Sequence, residues 1–171
     1  WAKLNNLKQA AKTMNFLTEH GISSYGELES KLTAVSARRD TAHAEIKRIE
    51  SRSAELALVM KHAGTYRQLK PLYERYRKSN DKEKFLRGHE SEIILFEAAA
   101  RELNRLGTVP LPTTESMKTE LANLNAEKER LLAEYKAART EAQEYDTVKQ
   151  NVDALLTVPK EQEQQRRHEL E

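Results

Sequence analysis

The chain has 171 residues, of which 33% are charged, and its 29 Lys or Arg and 27 Asp or Glu leave a formal net charge of +2. It contains no cysteine, which excludes disulfides and Cys-based metal or redox sites. No apolar run approaches the ~18 residues of a membrane span, and no signal peptide is visible. We therefore expect a soluble, cytoplasmic protein. Scarce Gly and Pro beside abundant Ala, Leu, Glu, Lys and Arg favour long helices over sheets.

A first helix is predicted over residues 1–20, and Gly21 is expected to end it in the left-handed conformation that glycine tolerates. Apolar spacings of three and four residues predict one buried stripe along this helix. The stripe comprises Leu4, Leu7, Ala11, Met14 and Leu17.

A long heptad-patterned helix is predicted over residues 25–63. It begins at a capping box, in which the Ser24 side chain accepts from the amide of Glu27 and the Glu27 side chain accepts from the amide of Ser24. Seam positions then alternate at spacings of four and three, as in a coiled coil. The seam comprises Leu28, Leu32, Val35, Arg39, Ala42, Ile46, Ile49, Ser53, Leu56 and Met60.

Residues 64–107 are predicted to form a smaller helical insert. Pro71 lacks an amide hydrogen and disfavours helical geometry at the preceding residue, so we expect a kink or break between Tyr66 and Pro71. Asn80 or Asp81 is expected to cap a short helix that reaches Gly88. A stronger helix over about residues 90–106 is expected to bury Ile93, Ile94, Phe96, Ala100, Leu103 and Leu106.

A second heptad-patterned helix is predicted over residues 114–157. Thr113 is its expected N-cap, Pro159 is expected to stop it, and residues 158–171 are expected to form a flexible tail. Its seam again alternates at spacings of four and three. The seam comprises Met117, Leu121, Leu124, Lys128, Leu131, Tyr135, Ala138, Ala142, Tyr145, Lys149, Val152 and Leu156.

Two heptad helices of similar length predict an all-α fold, because neither seam is stable when exposed. We expect a long antiparallel coiled-coil helical arm with a smaller helical tip insert and an N-terminal packing helix, all within one domain over residues 1–157. Pairing between molecules, giving a homo-oligomer, is the alternative. The polar seam residues are expected to weaken the core and to help fix its register. They are Arg39, Ser53, Lys128 and Lys149.

A basic, tyrosine-bearing segment lies between the heptad helices: residues 61–89 contain nine Lys or Arg against three acidic residues. Cations beside aromatic rings are suited to phosphate contact and base stacking. The same pattern also fits a solvated helix face or a surface that docks on an acidic protein. No base-reading motif is present, so DNA binding would be largely non-specific. The candidate phosphate-binding residues are Lys61, Arg67, Lys70, Arg75, Arg77, Lys78, Lys82, Lys84 and Arg87, and the candidate stacking residues are Tyr66, Tyr73 and Tyr76.

The sequence contains no catalytic constellation. No two histidines have the i, i+4 spacing of a helical zinc site, and no glycine-rich phosphate loop is present. Nothing indicates a Ser/His/Asp or Cys/His arrangement. We therefore predict no catalytic residue, no metal and no cofactor.

Three segments, WAKLNNLKQAAKTMNFLTEHGI, RYRKSNDKEKFLRGHESEIILFEAAARELNRLG and LPTTESMKTELANLNAEKERLLAEYKAARTEAQEYDTVKQNVDALL, resemble the C-terminal part of relaxases. These are the mobilisation nucleases of conjugative and mobilisable elements of Gram-positive, gut-type bacteria. The resemblance covers residues 1–157 and implies a parent enzyme that nicks one DNA strand with a tyrosine nucleophile and a histidine-held divalent metal. That histidine cluster is missing here, so no tyrosine or histidine of this chain takes either role.

Three functions remain open on the sequence. The first is a non-catalytic accessory region of a relaxase, acting in conjugative DNA transfer, whose basic tip contacts DNA, relaxosome proteins or the coupling protein. The second is a purely structural coiled-coil spacer or oligomerisation module with no ligand. The third, an independent enzyme, predicts metal-dependent nicking by this chain alone, which we do not expect.

Overall fold

The computed structural model describes residues 2–108 and 110–168, and the side chains of residues 5–108 and 110–157. Its elements are α1 (Ala2–Glu19), α2 (Tyr25–Lys78), α3 (Lys82–Arg105) and α4 (Thr114–His168), with no strand among the described residues. The predicted all-α class is confirmed. Tertiary contacts divide the chain into unit 1, Trp1–Glu45 with Arg130–Glu171, and unit 2, Ile46–Glu129. The sequence did not indicate this division, because both heptad seams continue through it.

Helix α1 ends as the sequence predicts. Gly21 has a φ of 60°, in the left-handed region. The amide of Ile22 donates to the carbonyl of Leu17 at 2.8 Å, and the amide of Gly21 donates to that of Thr18 at 3.1 Å. These two bonds form a Schellman motif, and the buried Ile22 belongs to the core cluster against which Leu17 packs.

The predicted capping box of α2 is also confirmed. The amide of Glu27 donates to Ser24 Oγ at 3.2 Å, and the amide of Ser24 donates to Glu27 Oε2 at 3.3 Å. The amide and hydroxyl of Ser23 donate to the same carboxylate at 2.7 and 2.9 Å. These donors, those of Ser23 foremost, hold the pKa of Glu27 below its usual value.

In unit 1, α2 and α4 pack side by side in opposite directions. Arg38 pairs with Glu141, and Glu29 pairs with Lys149 at 3.6 Å, so partner numbers fall along α4 as they rise along α2. The antiparallel pairing predicted from the two seams is therefore present in this unit. Its core consists of Ile22, Leu28, Val35, Ala142, Tyr145 and Val148. The last seam position of α4, Leu156, is 55% exposed.

The seam lysine Lys149 belongs to a polar network in unit 1. Its ammonium lies 3.4 Å from Asp153 Oδ2 and 5.3 Å from the centre of the Tyr25 ring. The Tyr25 hydroxyl donates to Asp153 Oδ1 at 2.6 Å. The Tyr25 hydroxyl and the Asp153 carboxylate raise the pKa of Lys149, and Tyr25 also leads the contacts that lower the pKa of Asp153. Both groups are therefore charged at neutral pH and balance each other beside the seam.

The predicted buried stripe of α1 is wrong except at Leu17. Leu7 and Met14 are 68% and 60% exposed, and Ala11 is exposed as well; the side chain of Leu4 lies outside the described residues. The helix instead turns Thr13, only 2% exposed, and Phe16 toward α4. This face packs through the Phe16 ring, 5.2 Å from that of Tyr145, and through two hydrogen bonds: Gln9 donates to Asn151 at 2.8 Å, and Asn151 donates to Thr13 at 3.2 Å.

In unit 2, α2 and α4 are again antiparallel. Glu50 pairs with Lys128 at 2.8 Å, and Arg52 pairs with Glu120 at 2.7 Å. The hydroxyl of the seam residue Ser53 is buried without a hydrogen-bond partner among the described residues. α3 completes the core of this unit, which consists of Leu56, Val59, Ala63, Leu103 and Met117.

The expected break before Pro71, and with it the end of the long helix at residue 63, is wrong. α2 continues through Pro71 to Lys78. A proline inside a helix removes one backbone hydrogen bond and costs about 3 kcal/mol. Contacts on both sides of the proline offset that cost, because Tyr66 and Tyr73 each stack on Phe96 of α3. Tertiary packing therefore outweighs local propensity here.

Replacing Pro71 with alanine should stabilise the protein. Pro71 is exposed within continuous helix, so alanine restores the missing backbone hydrogen bond without removing a core contact. We expect the free energy of unfolding to rise by about 1–3 kcal/mol, measured by urea denaturation. A helix that really broke near Pro71 would instead leave the variant unchanged or less stable.

Helix α3 contains the interruption that the sequence places after Gly88. His89 has φ −141° and ψ 26°, outside helical geometry, so a short helix and a longer one meet there. Asp81 caps the first part, as predicted, by accepting from the amide of Lys84 at 3.0 Å. The predicted burial of Ile94 is wrong, since its side chain is 57% exposed. The buried positions of the second part are Ile93, Phe96, Ala99 and Leu103.

Helix α4 begins as predicted and continues beyond its predicted end. Thr113 Oγ1 accepts from the amide of Ser116 at 3.1 Å. The backbone passes Pro159 in helical geometry to His168, although a stop and a flexible tail from residue 158 were predicted. A proline inside a helix removes one backbone hydrogen bond and crowds the preceding turn, yet the backbone is helical on both sides of Pro159. Residues 169–171 of that predicted tail lie outside the described residues.

Candidate nucleic-acid interface

Eight of the nine predicted phosphate-binding residues are exposed, and Arg67 is half-buried. Lys61 and Lys70 lie earlier on α2, before its last two turns. The remaining six lie at the end of α2 and the start of α3. We call them the turn cluster: Arg75, Arg77, Lys78, Lys82, Lys84 and Arg87.

A tight turn brings the two halves of the turn cluster together. Only residues 79–81 separate α2 from α3. The amide of Ser79 donates to the carbonyl of Tyr76 at 3.1 Å, and the amide of Asp81 donates to Ser79 Oγ at 3.3 Å. Since Asp81 also caps α3, the turn has fixed geometry on both sides.

The cations of the turn cluster differ from those of the coiled coil in having no ion-pair partner. Arg38, Arg52 and Lys128 pair with carboxylates of the facing helix. No member of the turn cluster forms an ion pair with any side chain that the structure describes. None of its six cations is therefore neutralised by an ion pair among the described residues, and with Asp81 and Glu83 the segment 75–87 keeps a formal charge of 6 − 2 = +4.

Helix dipoles account for only half of this cluster. Arg75, Arg77 and Lys78 occupy the last turn of α2, where cations stabilise a helix by about 0.3–1 kcal/mol each. Lys82 and Lys84 lie in the first turn of α3, where the dipole disfavours positive charge. Helix stability therefore gives no reason for these two lysines, whereas an anionic ligand would.

Arg67 has a structural role that the sequence did not indicate. Its guanidinium donates to the carbonyl of Pro112 and, at 2.7 Å, to Thr114 Oγ1. These bonds tie α2 to the connector that precedes α4. Arg67 is therefore engaged within unit 2, and we leave it out of the interface.

The predicted stacking residues pack against one another and against α3. Tyr66 and Tyr73 stack on Phe96, with ring centres 4.9 and 4.2 Å apart, and Tyr76 lies 5.9 Å from Tyr73. Burial, followed by the nearby Glu97 carboxylate, raises the pKa of Tyr73. Phe96 thus covers a face of two of the three rings that were expected to stack on bases. Their main role in the structure is to attach α3 to α2.

Phe85 and Tyr76 are aromatic residues beside the turn cluster, and their ring centres lie 6.1 Å apart. The Arg75 guanidinium lies 5.9 Å from the centre of the Phe85 ring, and the centre of the His89 ring lies 4.9 Å from it. Phe85 lies in the basic segment, on the predicted short helix before Gly88, and is not among the predicted stacking residues. The contact with Arg75, across the turn, could not be read from spacing along either helix.

Other kinds of site find little support in the described residues. Within them, no three His, Asp or Glu side chains come close enough together to hold a metal ion. An open groove of about 720 Å³ in unit 2 is lined by residues such as Arg48, Thr119 and Asn123, away from the turn cluster. None of the described helices combines the length and apolarity needed to cross a membrane.

Comparison with known proteins gives no relative. No family model, no curated protein sequence and no solved structure matches this chain.

Proposed function

We propose that this chain is a non-catalytic accessory region of a relaxase that contacts DNA during conjugative transfer through the turn cluster. The observation that carries the DNA contact is the set of six exposed cations, none in an ion pair among the described residues, around one hydrogen-bonded turn of three residues. The assignment to a relaxase rests on the resemblance of residues 1–157 to the helical part of that family.

Binding through this cluster would be largely independent of base sequence. Arg and Lys side chains neutralise phosphates and release counterions, which supplies affinity without reading bases. Tyr66 and Tyr73 add little to base stacking, since Phe96 covers a face of each ring. We therefore propose a positioning contact on the DNA backbone, remote from the site that cuts the strand.

The alternative is a coiled-coil spacer or oligomerisation module, or a docking site for relaxosome or coupling proteins. The antiparallel packing of α2 on α4, with ion pairs such as Glu50–Lys128 between the helices, is sufficient for a structural role without a ligand. Light scattering measures the oligomeric state, and together with a DNA titration it distinguishes a structural module from a DNA-binding region. A stable oligomer that binds no DNA would favour the module, and a monomer that binds DNA would favour our proposal.

A salt titration of DNA binding tests the proposal. If about five cations reach phosphates, the logarithm of the affinity for duplex DNA should fall with the logarithm of salt concentration at a slope of about −4 to −5. Fluorescence anisotropy with labelled duplex and single-stranded oligonucleotides measures both affinity and slope. Absence of binding at about 50 mM salt would reject DNA as the ligand.

A further inference from the structure

Two aromatic rings meet across the turn between α2 and α3. The centres of the Tyr76 and Phe85 rings lie 6.1 Å apart, and their planes are inclined at 41°. The His89 ring is inclined to the Phe85 ring by the same angle, and the Arg75 guanidinium lies 5.9 Å from the Phe85 ring centre. Tyr76 and Phe85 are only half-buried, and neither belongs to the two hydrophobic cores of the described residues. The pair therefore lies partly at the surface of unit 2.

The contacts of this pair differ from those of the other tyrosines in the basic segment. Tyr66 and Tyr73 lie almost parallel to Phe96, with inclinations of 22° and 24°, and such a stacked contact covers a ring face. Tyr76 is inclined at 51° to Tyr73 and at 41° to Phe85. Since a tilted contact covers less of a face than a stacked one, Tyr76 and Phe85 keep ring surface for a ligand.

The acidic residues of this segment are placed away from the two rings or are engaged. Asp81 caps α3 by accepting from a backbone amide. Glu74 and Glu83 each lie two positions before one of the rings, a spacing that puts two side chains on different sides of a helix. Glu92 follows the break in α3 and lies 3.7 Å from Nδ1 of His89. The exposed cations of the turn cluster therefore dominate the charge beside the rings.

A nucleotide with an unpaired base matches both features of this surface. Nucleobases stack on aromatic side chains whatever their identity, and the attached phosphates pair with Lys and Arg. Inside a duplex the bases already stack on one another, so only an unpaired base presents a whole face to the rings. The carboxylates of an acidic protein would match the cations, but they offer the rings no face to stack on.

We propose that Tyr76 and Phe85 form a stacking site for an unpaired nucleobase whose neighbouring phosphates are held by the turn cluster. The site rests on the proposed function, because the same cations contact the DNA backbone. It adds a preference for single-stranded over duplex DNA at this point of the chain. Because stacking tolerates every base, the preference does not require sequence recognition.

The test compares the affinity of the whole chain for a labelled strand of about 12 thymidines with its affinity for a duplex of the same length. The variant Y76L/F85L keeps apolar side chains and removes both aromatic faces. We expect it to weaken single-strand binding by about ten-fold or more and duplex binding by less than about two-fold. The matched control Y76F/F85Y keeps both rings and should bind both forms of DNA as the wild type does.

Tryptophan fluorescence measures the stacking directly. Trp1 is the only tryptophan of the sequence, so the variant W1F/F85W carries its single indole at the proposed site. We expect the thymidine strand to quench its emission, because the indole stacks on a base. The control W1F/Y135W carries the indole in unit 1, and its emission should not change.

Three results would overturn the stacking site while leaving the proposed DNA contact intact. They are equal single-strand affinity of Y76L/F85L and the wild type, equal losses for single strand and duplex, and unchanged emission of W1F/F85W on binding. Equal losses would mean that the rings only support the turn. Absence of binding to either form at about 50 mM salt would instead reject the DNA contact and the stacking site together. Circular dichroism melting verifies that each variant keeps the fold.

Discussion

Reversing three cations of the turn cluster should weaken DNA binding by about 100-fold or more at about 100 mM salt. The variant is R77E/K78E/K82E, in which each side chain is exposed and none has an ion-pair partner among the described residues. The loss has two causes: phosphate contacts disappear, and the new carboxylates repel phosphates. The slope of the salt titration should also become shallower by about 3, one unit for each lost contact.

A matched control separates the position of the charges from their number. K31E/K47E/K118E changes the net charge by the same amount at three exposed lysines outside the turn cluster. If the cluster is the contact, this control should keep affinity within a few-fold of the wild type. Equal loss in both variants would show that only total charge matters, and our assignment of the interface would fail.

Truncating Phe96 should cause the largest loss of stability. This ring is 6% exposed and stacks on both Tyr66 and Tyr73, so alanine removes its burial and two aromatic contacts together. Replacing a buried phenylalanine with alanine costs about 3–5 kcal/mol. Urea denaturation of Phe96→Ala measures that cost as a change in the free energy of unfolding.

Ile94→Ala is the control on the same helix. Because Ile94 is 57% exposed, we expect a change of no more than about 0.5 kcal/mol. Similar losses in the two variants would mean that the aromatic contacts do not attach α3 to α2. The continuity of α2 through Pro71 would then have no physical explanation.

The sequence predicted the features that repeat or that depend on neighbouring residues. The seams of α2 and α4 extend over many turns, so their buried faces were read correctly from Leu28 to Met60 on α2. Caps at Ser24, Asp81 and Thr113 were predicted because their partners lie three residues away. The positive φ of Gly21 was predicted in the same way, from a glycine directly after the last turn of the helix.

Features decided by tertiary contacts were not predictable. α1 has neutral or apolar residues on two sides, and the side that faces α4 is the one where Phe16 packs on Tyr145 and Asn151 donates to Thr13, both partners being far away in the chain. Helix α2 continues through Pro71 because Phe96 of α3 supports the residues around it. Likewise, spacing could not show that Arg67 is bound by the connector before α4.

The candidate site was predicted in part. Charge density identified the basic segment, and the structure divides it into a turn cluster and residues with other roles. Tyr66 and Tyr73 were predicted to stack on bases because they lie among cations in the sequence. The sequence does not show that Phe96 of α3 covers them. A cation on one helix has an ion-pair partner only if the facing helix places a carboxylate beside it. The spacing of residues along the sequence does not show which helix positions face each other.

Chemical-shift mapping is the most direct test of the central claim, that the turn cluster is where this chain contacts DNA. The isotope-labelled chain would be titrated with a short duplex while backbone amide and arginine side-chain signals are recorded. Our account predicts that the perturbed signals concentrate in residues 75–87, with little change in unit 1. Perturbations concentrated in unit 1, or none at a duplex excess that saturates the anisotropy signal, would contradict it.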